Sequence, residues 1–194
     1  MHKVIIIPGL GDGVRKMEWA TRFWKNHGLE PIVYSMEWRN SQQLFDQKLN
    51  KLLVLIDQFA TQGHDISLVG TSAGGSAALN AFMQRKQVIA HVINVCGRLR
   101  VGTHTGIHSF EARTVSSPAF AESVKLCEQG LKTSTPDERK KIMTVRPMFG
   151  DEVVPANTVP VEGAQNITIP SGEHVVTIAL ALTVFAKRII SFIK

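Results

Sequence analysis

Residues 68–79 read LVGTSAGGSAAL, an apolar run that meets a cluster of tiny residues with one serine, Ser72, in its middle. The core of that stretch, GTSAG at 70–74, sets Gly70 and Gly74 two positions either side of the serine. Between a strand and a helix this spacing lifts a serine hydroxyl onto a sharp turn, because larger neighbours would block the close approach of the two elements. A serine alone is a poor nucleophile, and it needs a base to take its proton and an acid to orient that base. Downstream the chain offers both, Asp151 in MFGDEVVP and His174 in IPSGEHVV. The competing reading makes Gly70, Ser72 and Gly74 small packing residues and nothing more.

Short β-branched runs alternate with longer helical patterns, which predicts a parallel sheet covered by helices on both faces. Strands are expected at 3–8, 31–35, 65–70, 88–96, 141–148 and 165–169, and helices at 14–27, 42–61, 73–85 and 174–193. In the second helix, with Ser41 as candidate N-cap, Leu44, Phe45, Leu49, Leu52, Leu53, Ile56 and Phe59 recur at helical spacing and make one apolar face for the sheet. Ser72 then follows the third strand, Asp151 the fifth and His174 the sixth, at the strand ends where a doubly wound sheet gathers its site residues. Between strands four and five, residues 97–136 lose both periodicities and collect glycine, histidine and polar residues, with one short helix expected at 118–131.

Serine, aspartate and histidine in that chain order, each after its own strand, resemble the α/β-hydrolase superfamily. The resemblance covers nearly the whole chain and implies a compact version of the fold that begins at the strand before the oxyanion loop. It implies an α/β, doubly wound, mostly parallel six-stranded sheet in the order 2-1-3-4-5-6 with helices on both faces. One domain would span 1–194, with room for a small cap at 97–136. On the same match Ser72 is the nucleophile, His174 the general base and then acid, and Asp151 the orienting carboxylate. The oxyanion hole would use backbone N–H groups of Ala73, after the nucleophile, and of Leu10 or its neighbour Gly11, in the loop after the first strand. Two positions depart from the pattern: Pro8 of PGLGDG stands where many members carry histidine, and Glu173 where glycine often precedes the catalytic histidine. The implied activity is serine hydrolysis of a small ester or thioester through an acyl-enzyme, with no metal or organic cofactor. The alternative is a catalytically silent binding protein of the same fold, in which the triad residues exist but the oxyanion loop or an occluding segment at 97–136 prevents turnover.

Other chemistries fit less well. The turn in IIIPGLGDG could cradle a dinucleotide pyrophosphate, but Val14 occupies the third position of GxGxxG and no acidic residue ends the second strand at Tyr34 and Ser35. GTSAGG lacks the GK[ST] of a P-loop. His104 and His108 lie in an irregular stretch without a third credible zinc ligand. The net charge of +6 over 194 residues is scattered along the chain, which argues against a nucleic-acid partner. Arg98 and Arg100 are candidates to meet an anionic substrate group, or else are solvated. Cys96 and Cys127 are the only cysteines and make no disulfide framework, Cys96 reads as a small apolar residue, and a reduced cytoplasmic setting is expected. Trp19, Trp24 and Trp38 read as packing residues, Trp38 alternatively as part of the pocket mouth. The apolar stretch of MHKVIIIPGLGDG is too short for a signal peptide. The apolar run 175–186 stops at Lys187 and Arg188, short of the roughly 20 residues of a membrane span, so a buried helix is expected instead of stable membrane insertion.

Overall fold

The structure, a computed structural model, describes the backbone of residues 1–194 and every side chain except that of His108. Its strands are β1 (His2–Ile7), β2 (Leu29–Val33), β3 (Asp65–Thr71), β4 (Ile89–Val95), β5 (Ile142–Pro147) and β6 (Gln165–Ile169). They form one sheet in the order β2-β1-β3-β4-β5-β6, with every neighbouring pair parallel. The helices are α1 (Val14–Thr21), α2 (Phe45–Thr61), α3 (Ala73–Gln84), α4 (Phe110–Thr114), α5 (Pro118–Thr133), α6 (Pro136–Lys140), α7 (His174–Leu182) and α8 (Ala186–Ile193).

Side chains alternate across a strand, so each central strand feeds two cores. Ile5, Ile7 and Leu68 pack with Phe45, Leu49, Leu52 and Ile56 of α2 on one face. Val4, Ile6 and Val69 pack with Ile178, Leu182, Ile189 and Ile190 of α7 and α8 on the other. Strands buried on both faces read as the continuous apolar runs seen in the sequence. The order reverses between β1 and β3, so the loops leaving these two strands diverge at the C-terminal edge, the place where doubly wound sheets gather their site residues.

Several boundaries differ from the expectations. The first helix changes after Thr21 into a 3₁₀ turn, Arg22–His27, closed by Gly28 at φ 75°, a left-handed conformation that suits glycine. α2 starts at Phe45 and not near Ser41, because the Asn40 side chain accepts from the Gln42 N–H (3.1 Å) and holds a turn there. The Phe45 N–H is then capped from another helix by Glu122 Oε2 (3.2 Å). The C-terminal helix divides between Leu182 and Ala186 with a bend of 56°, and the Trp24 indole donates to the Leu182 carbonyl at the break (3.2 Å). Among the described residues no single helix is long and apolar enough to cross a membrane; the bent pair α7–α8 passes on composition, and its apolar stripes lie in the core.

The segment 97–136 is more ordered than its sequence suggests. The helix expected at 118–131 runs from Pro118 to Thr133, with Ser117 as N-cap accepting from the Phe120 N–H. It buries Phe120, Val124, Cys127 and Leu131 in the same core as α2 and α3. A buried Ser76–Ser123 hydroxyl pair (2.8 Å) and an Asn80-to-Ser123 carbonyl bond (2.8 Å) tie it to α3. α5 is thus part of the helical layer on the sheet, and only 97–117 remains at the strand ends. Arg98 is buried there: its guanidinium donates to the Arg100, Val101 and Ser109 carbonyls and lies over the Phe110 ring. Its role is to hold the loop closed, so the expectation that it meets substrate or solvent is not met. Trp24 and Trp38 are buried as expected, whereas Trp19 is 61% exposed.

Candidate active site

β3 ends at Thr71 and α3 begins at Ala73, so a single residue, Ser72, turns the chain from strand to helix. It does so at φ 52° and ψ −123°, a conformation that costs a non-glycine residue about 1–3 kcal/mol and persists only where the surroundings force it. The forcing is steric. A methyl group on Gly70 would overlap the Gly74 carbonyl, and one on Gly74 would overlap the Ile7 carbonyl of β1. These glycines let α3 settle directly on β1 and β3. The Ser72 N–H is fixed to the Val95 carbonyl of β4 (2.9 Å). In the next layer, Asn94 bonds both polar groups of Gly97 (2.9 and 3.0 Å) and packs against Gly75.

The side chains of Asp151 and His174 meet Ser72 from the far half of the sheet. Ser72 Oγ lies 3.0 Å from His174 Nε2. His174 Nδ1 lies 2.9 Å from Asp151 Oδ2 and 3.1 Å from Oδ1. The Asp151 and His174 side chains are only 2% and 5% exposed, so this pair is shielded from water. Asp151 Oδ1 also accepts the N–H groups of Val153 (2.8 Å) and Val154 (2.9 Å), which fixes the carboxylate on its own turn. Burial works to raise the Asp151 pKa, but the bonds from His174 and from the Val154 and Val153 amides outweigh it and hold the carboxyl below its usual range.

His174 is the first residue of α7, and its backbone is positioned as well as its ring. The Glu173 carboxylate caps the helix by accepting the Val175 and Val176 N–H groups. The Glu152 carboxylate accepts the His174 N–H (3.1 and 3.2 Å). Arg113 in turn donates to the Glu152 carbonyl (2.8 Å). Glu173, the residue at an expected glycine position, therefore has a local task, and Glu152 does more than its adjacency to Asp151 suggests.

The loop after β1 runs against the serine. Gly9 sits so close that a methyl there would come within 2.7 Å of Ser72 Cβ. A turn closed by the Asp12 N–H on the Gly9 carbonyl (2.9 Å) carries Leu10 and Gly11 between them. Trp38 clamps this turn at both ends: its indole N–H donates to the Pro8 carbonyl (3.1 Å), and its backbone N–H donates to Asp12 Oδ2 (3.1 Å). Trp38 is itself held by stacking on Phe45, an edge contact with Phe120 and a bond from the Ser117 hydroxyl. Nothing in the sequence marks Trp38 for this position beyond its place after the second strand. Ala73, as the first residue of α3, has an N–H without a partner inside the helix.

Cys96 follows β4 at φ 57°, and its sulfur, an Asp151 oxygen and a His174 nitrogen lie within 4.8 Å of one another. Burial pushes the Cys96 thiol up, and the Asp151 charge pushes it further. His174 Nδ1 is already engaged by both Asp151 oxygens, so these residues fit packing under the histidine better than a metal centre. His104 is exposed, and the side chain of His108 lies outside the described residues.

No family model matches the chain, and no curated protein does. Solved structures match over nearly its whole length. The Paleococcus ferrophilus monoacylglycerol lipase is similar at a TM-score of 0.68 and 11% identity, covering 98% of this chain and 93% of that one. A metagenome-derived lipolytic enzyme from the LipS and LipT study aligns at 0.67 and 13%, covering 98% and 92%. Est1E from Butyrivibrio proteoclasticus aligns at 0.61 and 16%, covering 98% and 88%. At such identities the likeness is one of architecture: the chain has the α/β-hydrolase fold.

Proposed function

We propose that this chain is a serine hydrolase that cleaves an ester or thioester of modest size through an acyl-enzyme. The observation that carries the reading is the unbroken chain of hydrogen bonds from Asp151 through His174 to Ser72, at a serine held in a strained turn. Ser72 Oγ attacks the acyl carbon while its proton passes to His174 Nε2. Asp151, kept ionised, holds the Nδ1–H tautomer and stabilises the imidazolium that forms. The negative charge on the former carbonyl oxygen is met by the N–H groups of Ala73 and Leu10, with the N-terminal end of α3 adding its dipole. Collapse expels the leaving group, which takes the proton from His174. Water then attacks the acyl-enzyme with the same histidine as base, releasing the acid and restoring Ser72.

The lipolytic and lipase activities named for two of the structural neighbours support this class of reaction. The segment 97–117 is the natural roof for the acyl group, and such a short roof favours small substrates. Turnover of a short p-nitrophenyl ester tests the reading: the wild type should hydrolyse it, and Ser72→Ala should lose at least about 10³-fold in kcat while keeping its circular dichroism. Equal rates would remove Ser72 from the reaction.

A further inference from the structure

α1 and α7 lie side by side on the outer face of the sheet and leave a groove of about 410 Å³ between them. This is within the roughly 300–1,000 Å³ of small-ligand sites. One wall is Trp19 of α1, 61% exposed; the other is Val175, Ala179 and Leu182 of α7. The lining is apolar except for Thr183 and two cations, Arg15 and Lys16, and it contains no acidic residue. Among the described residues neither cation forms a salt bridge. A third, Arg22, stands over the Trp19 ring at 5.2 Å. Ser72, Asp151 and His174 do not line the groove, although Val175 is the residue next to His174.

We infer that this groove binds a single-chain anionic amphiphile, a fatty carboxylate, with its chain between Trp19 and Ala179 and its head at Arg15 and Lys16. An apolar groove of this size gains by taking hydrocarbon out of water, and the two cations supply the complement for an anion at its rim. A neutral ligand would leave them without a counter-charge. A second copy docking here by two-fold symmetry would add a second Arg15 and Lys16 to the same interface with no acidic residue in the lining to offset them. The inference needs no hydrolysis and stands apart from the reaction proposed above.

The test uses the full chain carrying Ser72→Ala, so that binding is read without turnover. Sodium dodecanoate, kept below its micelle-forming concentration, is titrated while tryptophan emission is followed. Trp19 is the exposed tryptophan and Trp24 and Trp38 are buried, so a blue shift reports on the groove. A saturable shift with one site by calorimetry is expected, and Ala179→Arg, at an exposed position, should abolish it. Val175→Glu, also exposed, serves as a second blocking variant should the first fail to fold. Reversing Arg15 and Lys16 to glutamate should weaken dodecanoate by about tenfold or more and dodecanol by less than about threefold. The inference is overturned by the absence of a saturable shift, by a shift that survives both blocking variants, by a shift seen only with anionic vesicles, or by equal losses for the acid and the alcohol.

Discussion

Ser72 and His174 are 3.0 Å apart, yet the chain holds the two by different physics. Around Ser72 the constraint is steric and lies in the middle of the sheet: Gly9, Gly70 and Gly74 each sit where an added methyl would meet the backbone or Ser72 itself. Around His174 the constraint is polar and lies toward the sheet edge: Asp151 holds the ring, Glu152 the backbone N–H, and Glu173 the helix that follows. A steric constraint admits almost one residue type at each place, so it leaves a motif. A hydrogen-bond constraint can be met by several acceptors from several directions, so it leaves little more than a chain order. The first should therefore fail as a loss of fold, and the second as a loss of rate with the fold intact.

The largest effect expected on the polar side is that of Asp151→Asn. The amide keeps the shape but loses the charge and admits the wrong tautomer, so kcat should fall by two to four orders of magnitude, about 3–5 kcal/mol. Because the Asp151 pKa is lowered by folding, its stabilising contribution is full above its unfolded-state pKa and disappears as pH falls through the lower folded value. The acid limb of a thermal-stability profile should therefore flatten in the variant. On the steric side, Gly74→Ala drives a methyl into the Ile7 carbonyl. Denaturant unfolding should show a loss of about 2–4 kcal/mol; a change below about 0.5 kcal/mol would mean that α3 can shift freely and that the turn is not sterically held.

Smaller effects sharpen the contrast. Trp38→Phe keeps the stacking surface but removes the indole bond to the Pro8 carbonyl, so the loop carrying Leu10 should loosen. We expect kcat to fall by about three- to tenfold with KM nearly unchanged, the cost of one neutral hydrogen bond; a change confined to KM would place Trp38 in binding. Glu152→Gln retains an oxygen able to accept the His174 N–H and should alter kcat by less than about tenfold. If Glu152→Gln were crippled and Asp151→Asn nearly normal, the carboxylate that orients the ring would be Glu152.

The alternation of β-branched runs and helical periods made the six strands legible, and the strand order came with the resemblance. GTSAG was legible because steric demands at 70–74 leave few residue choices. The division of the last helix was not, since Ala181, Leu182 and Ala186 continue an apolar pattern across a break at which the Trp24 indole bonds the Leu182 carbonyl. Nor was α5 as a covering helix, because Ser123 and Cys127, two of its buried positions, read as polar or neutral until Ser76 and Asn80 are seen to pair with Ser123. Trp38 acts through bonds to the Pro8 carbonyl and the Asp12 side chain and Glu152 through the His174 N–H, and such contacts depend on three-dimensional proximity that no local spacing encodes. Trp19 looked like core only because tryptophan usually is.

Activation of Ser72 by the histidine and carboxylate beside it is tested most directly with a fluorophosphonate probe and intact-protein mass spectrometry. The wild type should gain one adduct per chain, mapped by peptide sequencing to Ser72, and His174→Ala should slow that labelling by at least about 10²-fold. An unlabelled wild-type chain, an adduct on another residue, or labelling that is indifferent to His174 would contradict the account, and the first of these would favour a silent binding protein on a hydrolase fold.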